Sequence, residues 1–311
     1  MRTAIIGCGA LGSVIGGLLL EAGQDVVFIE RDPSEVELIR EKGLRIDGVS
    51  GDRVLHPAIF HCDDQPGAVD LVLVLVKAYD TRSTIPIIAK ILAPSGLILT
   101  LQNGVGNYET LESEFPGSVL MGSTTMGAMA ISRGHVRHTG FGPTVVGEAG
   151  GLITERVRTL VQFLGTMNGG TVQATDNAVG TVWSKLIINA AINAPCALLR
   201  IRNGVLPQST AGRQLIHEIV SECEAIVRAK GITLLFETPE ERVLEVCRGT
   251  AENICSMLQD MRARRKTEIG YINGAFAQEA ERLGLSAPVN KTVTLLIEAL
   301  EATVSCRIQA D

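Results

Sequence analysis

Short apolar runs alternate with amphipathic stretches through the first half of the chain. Residues 3–6, 26–29, 71–76, 97–101 and 119–125 are brief, β-rich and apolar at consecutive positions. That pattern predicts strands buried on both faces rather than strands with one wet face. Between most of them, residues 12–22, 34–42, 83–92 and 107–114 repeat apolar positions at helical spacing. Alternation of this kind predicts a parallel sheet covered by helices. Residues 128–147 change character, being rich in Gly, His and Thr with alternating polarity, and are expected to add antiparallel strands at the sheet edge. A helix over 153–167 and a strand over 171–174 close this half. After about Thr175 the strand signal stops, and residues 177–199, 209–230, 239–248, 253–265, 268–283 and 287–302 all read as helices. The break predicts two domains, an α/β domain over 1–176 and an all-α domain over 177–311.

Composition narrows the class of protein. The 311 residues are 46% hydrophobic and 20% charged, an ordinary balance for a globular protein. A formal net charge of -6 argues against general nucleic-acid affinity, so any anionic ligand must meet local positive charge. The apolar run 186–199 is too short to span a bilayer and carries Asn189, Asn193 and Pro195, so a buried helix is expected and no membrane partner. Seven scattered cysteines suit a reducing, cytoplasmic setting, and the first residues read as a strand rather than a signal peptide. The five histidines form no ligand pattern, and no metal site is expected.

The first candidate site follows the first strand. Gly7, Cys8, Gly9, Ala10, Leu11 and Gly12 have the glycine spacing of a dinucleotide-binding turn, with a strand before and a helix after. Gly7 serves the tight turn, Gly9 the close approach of backbone to pyrophosphate, and Gly12 close helix–strand packing. The first half is therefore expected to be a Rossmann-type doubly wound sheet. Glu30 ends the second strand 21 residues after Gly9, where a carboxylate would read the ribose of NAD; Arg31 follows at once and could clamp the 2′-phosphate of NADP.

A second candidate site lies in the helical half. Lys185, Asn189 and Asn193 are four residues apart, so a helix gathers them within an arc of about 80° on an otherwise apolar segment. Buried polar groups need partners, and the alternatives are a structural hydrogen-bond cluster or a ligand site with Lys185 as proton donor. Asn253 and Ser256 read as i, i+3 neighbours on one helix, with Glu268 on the same broad face if that helix runs on. The charged run 262–266 reads as a solvated face. No serine has a nucleophile-elbow context, which disfavours hydrolase chemistry.

Taken together, these segments resemble the ketopantoate reductase (2-dehydropantoate 2-reductase) family over essentially the full chain. The resemblance is carried by Gly7–Gly12, Lys77 after the strand at 71–76, Leu101-Gln-Asn-Gly-Val-Gly106, Trp183-Ser-Lys185 with Asn189 and Asn193, Asn203-Gly204, Ser256-Met-Leu-Gln-Asp260, Thr267-Glu268-Ile269 and Asn273-Gly274. It implies that Lys185 is the catalytic acid and that Glu268 is a second functional carboxylate near cofactor and substrate. It also implies Lys77 and Asn103 at the cofactor, with Asn103 at the nicotinamide ribose and near substrate. Asn189, Asn193, Asn203, Asn253 and Ser256 would hold the substrate, Ser256 near its carboxylate. The family often has Asp where Gly270 stands. The implied cofactor is NADPH, with Arg31 on its 2′-phosphate and Glu30 swung outward, while Glu30 keeps NAD open.

The activity implied is reduction of 2-dehydropantoate to (R)-pantoate in pantothenate biosynthesis. Hydride would come from the nicotinamide and a proton from Lys185, in a site between the domains at the carboxyl ends of the parallel strands. A related NAD-linked (R)-2-hydroxy-acid dehydrogenase is the alternative within enzymes. A non-catalytic dinucleotide-sensing protein is the alternative of another class, and it has no need for Lys185, Asn189, Asn193 and Glu268 together. The partner implied is a small 2-oxo acid, and a homodimer is allowed.

Overall fold

The computed structural model describes residues 1–306. These divide into two compact units, one comprising Met1–Gln102 and Gly106–Val179, the other Asn103–Val105 and the chain from Gly180 onward.

Unit 1 opens with β1 (Thr3–Ile6), α1 (Ala10–Glu21), β2 (Val26–Glu30) and α2 (Pro33–Lys42). Three short strands follow, β3 (Leu44–Gly48), β4 (Arg53–Leu55) and β5 (Ala58–His61). The alternation resumes with β6 (Val69–Val74), α3 (Thr81–Ile91), β7 (Leu92–Thr100), α4 (Asn107–Glu112) and β8 (Val119–Thr124). It closes with β9 (Gly127–Ser132), β10 (His135–Gly140), β11 (Thr144–Gly147), α5 (Glu155–Leu164) and β12 (Val172–Thr175).

Eight strands form one sheet in the order β12-β11-β8-β7-β6-β1-β2-β5. All neighbours are parallel except β11 and β8. Both faces are buried, as the continuous apolar runs require. Along β1, Ile5 packs with Phe28 and Leu73 on one face, while Ala4 and Ile6 pack with Val27, Ile29 and Val74 on the other. Chain order reverses at β1, whose neighbours β2 and β6 lead to opposite halves of the sheet. Such a switch point opens a crevice at the carboxyl ends of the strands.

The expectation for residues 128–147 needs correcting. Only β11 joins the main sheet; β9 and β10 pair with β3 and β4 in a separate four-stranded sheet, order β4-β3-β10-β9. The reason is a parallel pairing of β10 with β3, fixed by the opposition of Val136 and Ile46. Both side chains are buried, which ties the two strands at one register.

Unit 2 is helical: α6 (Ala178–Leu199), α7 (Thr210–Ala229), α8 (Pro239–Gly249), α9 (Ser256–Arg262), α10 (Asn273–Leu283) and α11 (Pro288–Ala302), with 3-10 turns at Asn203–Gln208 and Ile269–Tyr271. By length and composition α6 passes for a membrane span, yet 67% of its apolar window is buried inside the protein, as a core helix would be. Asn273 and Asn290 are both fully buried at the starts of α10 and α11. Asn273 Nδ2 donates to the Ala190 carbonyl at 3.1 Å and to Asn290 Oδ1 at 3.0 Å, and Asn290 Nδ2 donates to Glu222 at 2.7 Å. This polar chain fastens α10, α11 and α7 to the middle of α6, one residue beyond Asn189.

Candidate active site

In unit 1 the turn after β1 is built for close contact with a ligand backbone. Gly7 has φ +104°, and a Cβ there would meet Val76 N at 2.8 Å. A Cβ at Gly12 would stand 2.0 Å from the Gly7 carbonyl oxygen, so only glycine lets α1 start this close to the turn. Gly9, by contrast, faces open space and caps α1 without any side-chain hydrogen bond. An uncapped helix start next to an open glycine suits a pyrophosphate. The turn therefore fits a dinucleotide, and the residues that would hold it are Gly7–Gly12. Lys77 comes shortly after the end of β6 and stands in extended backbone at the start of the short 3-10 turn Ala78–Asp80.

Glu30 does not swing outward. Its Oε2 accepts from Cys8 N–H at 3.1 Å, and its Oε1 accepts from the N–H groups of Arg31 and Asp32 at 2.8 and 3.1 Å. Three backbone donors thus draw the carboxylate onto the glycine turn. Arg31 instead donates through Nη1 to Asp80 Oδ1 at 2.7 Å.

In unit 2, α6 brings Lys185, Asn189 and Asn193 onto one face, as their spacing requires. Asn193 is buried, while Lys185 and Asn189 are partly buried. Burial pushes the Lys185 ammonium down to about 8, against an opposing pull from the nearby Glu268 carboxylate. Glu268 is itself only 6% exposed. A buried carboxylate beside a lysine whose burial outweighs their attraction is an arrangement for proton transfer more than for a static ion pair.

The remaining residues are tied together by backbone and side-chain contacts. Asn203 N–H donates to the Asn253 carbonyl at 3.1 Å, and Asn203 Nδ2 donates to Thr250 Oγ1 at 3.0 Å. The Asn203 Oδ1 is buried without a hydrogen-bond partner among the described residues, so it is available to a ligand donor. Cys255 Sγ lies 3.5 Å from the Asn193 carbonyl, which ties the start of α9 to α6. Asn103–Val105 belongs to unit 2, where Val105 N–H donates to the Tyr271 carbonyl at 3.3 Å. Tyr271 N–H in turn donates to the Glu268 carbonyl at 2.9 Å.

Two expectations fail here. Asn253 is not on a helix with Ser256; it lies in an exposed loop, and Ser256 is the first residue of α9. The backbone of Asn253 is committed to Asn203 and Thr250 instead of to a helical ladder. Nor does α9 run on to Glu268: it ends at Arg262, and Arg264 takes a left-handed φ of 53°. Sequence reasoning also missed one ligand-type cluster among the described residues. His61, Cys62 and Asp63 place donor atoms within 4.8 Å of one another. His61 Nε2 is already engaged, 3.0 Å from the Arg31 carbonyl.

A nucleotide-type sheet with this turn, joined in the chain to a helical unit carrying a half-buried lysine, a buried glutamate and amides, defines a dinucleotide-dependent oxidoreductase. Comparisons with known proteins give the family. A model described as Ketopantoate reductase PanE/ApbA matches residues 3–151, and its C-terminal counterpart matches residues 177–301. The chain belongs to the ketopantoate reductase family. It is 35% identical to the 2-dehydropantoate 2-reductase of Archaeoglobus fulgidus, with 97% of this chain and 98% of that one covered. Among solved structures it is similar to a PanE/ApbA family ketopantoate reductase from Ralstonia eutropha, with 30% identity, a TM-score of 0.90, and coverage of 98% and 100%. A D-mandelate dehydrogenase in complex with NADH and anilino(oxo)acetate is also similar, with 25% identity, a TM-score of 0.92, and coverage of 98% and 100%.

Proposed function

We propose that this protein is a 2-dehydropantoate 2-reductase, reducing 2-dehydropantoate to (R)-pantoate in pantothenate biosynthesis with a nicotinamide dinucleotide. The observation that carries the reading is Lys185, held partly buried on the Asn189–Asn193 face of α6 with Glu268 nearby. When bound, the reduced nicotinamide supplies a hydride to the carbonyl carbon. Lys185 polarises the carbonyl and stabilises the charge that develops on its oxygen. Its Nζ–H bond then breaks as the new O–H bond forms, leaving a neutral amine that regains its proton from solvent.

Asn189, Asn193, Asn203, Asn253 and Ser256 are proposed to orient the 2-oxo acid. Amides and a hydroxyl do this without placing a second full charge beside Lys185. Asn103 is proposed at the nicotinamide ribose and Lys77 along the cofactor; NADPH, the form the family resemblance implies, would need Arg31 on its 2′-phosphate. Glu268 is proposed to hold the lysine's protonation balance next to the reacting groups.

The test follows reduced-nicotinamide absorbance with 2-dehydropantoate and with a 2-oxo acid bearing an aromatic side chain. Preferred turnover of 2-dehydropantoate supports the reading. Preference for the aromatic acid would make the protein a 2-hydroxy-acid dehydrogenase of the mandelate type, and turnover of neither would overturn the reductase reading.

A further inference from the structure

Glu30 and Arg31 are both engaged in ways that suit a ribose better than a phosphate. The Glu30 carboxylate is fixed against the glycine turn by the N–H groups of Cys8, Arg31 and Asp32. In sheets of this type the adenosine ribose comes to the end of the second strand, where a carboxylate accepts from its hydroxyls and repels a 2′-phosphate. The cation that could offset this repulsion is held elsewhere. Arg31 Nη1 lies 2.7 Å from Asp80 Oδ1; the Asp80 side chain is 19% exposed and the Arg31 side chain 65% exposed, so a solvent-facing pair directs the guanidinium to Asp80. Since β1 lies between β2 and β6, this pair reaches across the carboxyl end of β1.

Two further carboxylates lie close by in the chain. Asp32 and Glu35 follow Glu30 within five positions, and Glu30 and Asp32 both act electrostatically on Glu35, whose carboxyl is raised first by burial. Arg133 approaches from the turn between β9 and β10, but it is 2.7 Å from Asp32. Each guanidinium here therefore already has a carboxylate partner, and Glu30 adds a negative charge that none of them neutralises by an ion pair among the described residues.

We propose that Glu30 and Asp80 together make this enzyme select NADH over NADPH, Glu30 by receiving the ribose hydroxyls and Asp80 by keeping Arg31 from a 2′-phosphate. The selection rests on the dinucleotide part of the function proposed above, and is independent of which 2-oxo acid is reduced.

Direct binding tests it, by titrating the purified protein with NADH and with NADPH and following nicotinamide fluorescence, no 2-oxo acid being present. Wild type is expected to bind NADH roughly ten- to a hundredfold more tightly, the range of a hydrogen bond to a charged group. Glu30→Ala should shrink that ratio. Asp80→Asn, which releases Arg31, should shift the ratio several-fold toward NADPH, and adding Arg31→Ala should reverse that shift. If Glu30→Ala fails to fold for want of its three backbone contacts, the Asp80 and Arg31 variants decide alone. Tighter binding of NADPH by wild type, or a ratio unmoved by Asp80→Asn, overturns the proposal. Tight NADH binding without turnover of any 2-oxo acid overturns the reductase reading and leaves this one standing, whereas binding of neither cofactor overturns both.

Discussion

Removing or retuning Lys185 is the most direct test of the site. Its ammonium sits near 8 instead of the 10.5 of a free lysine. A shift of that size corresponds to a net penalty of about 3 kcal/mol on the charged form, a ceiling because part of the side chain meets solvent. Desolvation is the larger cause and Glu268 opposes it. The consequence for reduction has a definite sign. The protonated lysine is the reactive form, so at pH 7 about nine-tenths of the molecules are competent and at pH 9 about one-tenth. Turnover should therefore fall as pH rises through about 8. Glu268→Gln removes the upward pull and should move that fall to lower pH, a readout that a merely structural role would leave in place. Lys185→Ala should cut turnover by roughly 10²–10⁴-fold at pH 7 and leave cofactor affinity nearly intact. Single-turnover reduction measured from pH 6 to 10 is the assay. A profile flat across pH 8, an upward move in Glu268→Gln, or near-normal turnover in Lys185→Ala would refute the assignment.

Three further outcomes follow from particular contacts. Gly12→Ala puts a methyl 2.0 Å from the Gly7 carbonyl oxygen, a backbone atom that cannot rotate aside, so nucleotide affinity should drop at least about tenfold, as titration with NADH would show. Ser256→Ala should raise the Michaelis constant for the 2-oxo acid by the equivalent of about 1.5–3 kcal/mol and leave cofactor affinity unchanged; if both the Michaelis constant and turnover stay put, Ser256 faces elsewhere. Asn273→Ala removes the buried hydrogen bonds from its amide to the Ala190 carbonyl and to Asn290 Oδ1, and should lower stability to denaturant by about 1–3 kcal/mol.

Much of the nucleotide sheet was legible because its strands are buried on both faces, and continuous apolar runs leave little choice of structure. The long helices of unit 2 were legible for the matching reason: α7, for example, keeps Ile216, Ile219, Val220, Cys223, Ile226 and Val227 on one buried face. What escaped was non-local. Strands β3, β4 and β5 are three to five residues long and include the charged residues Arg45, Asp47 and Arg53. β3 is held by β10, about ninety positions later, β4 only through β3, and β5 by β2 in the main sheet, and no local periodicity announces these pairings. Helical periodicity carried through Asn253 because nothing local marks the turn; the Asn203 N–H that claims its carbonyl comes from fifty residues upstream. The direction of Glu30 escaped for a similar reason. Strand parity cannot choose between Glu30 and Arg31, whereas three N–H groups converging on one carboxylate can.

The composition of the lysine site follows from the proton it must move. A lysine left in water stays near 10.5 and holds its proton too firmly for efficient donation at neutral pH; one buried alone would lose it altogether. Burial on an apolar helix supplies the downward push, and one carboxylate, Glu268, supplies a bounded correction. Asparagines at 189 and 193 fit this balance where arginines or aspartates would not. A second cation on the same face would push the lysine further down, and a second carboxylate would lift it toward its solution value and repel a 2-oxo acid. Amides bind and orient through hydrogen bonds while contributing no net charge. On this argument Asn189→Asp should raise the Lys185 pKa, carry the alkaline fall in turnover above pH 8, and weaken substrate binding at the same time. An Asn189→Asp enzyme whose fall in turnover stays at the wild-type pH would show that the amides are not what leaves the lysine near 8.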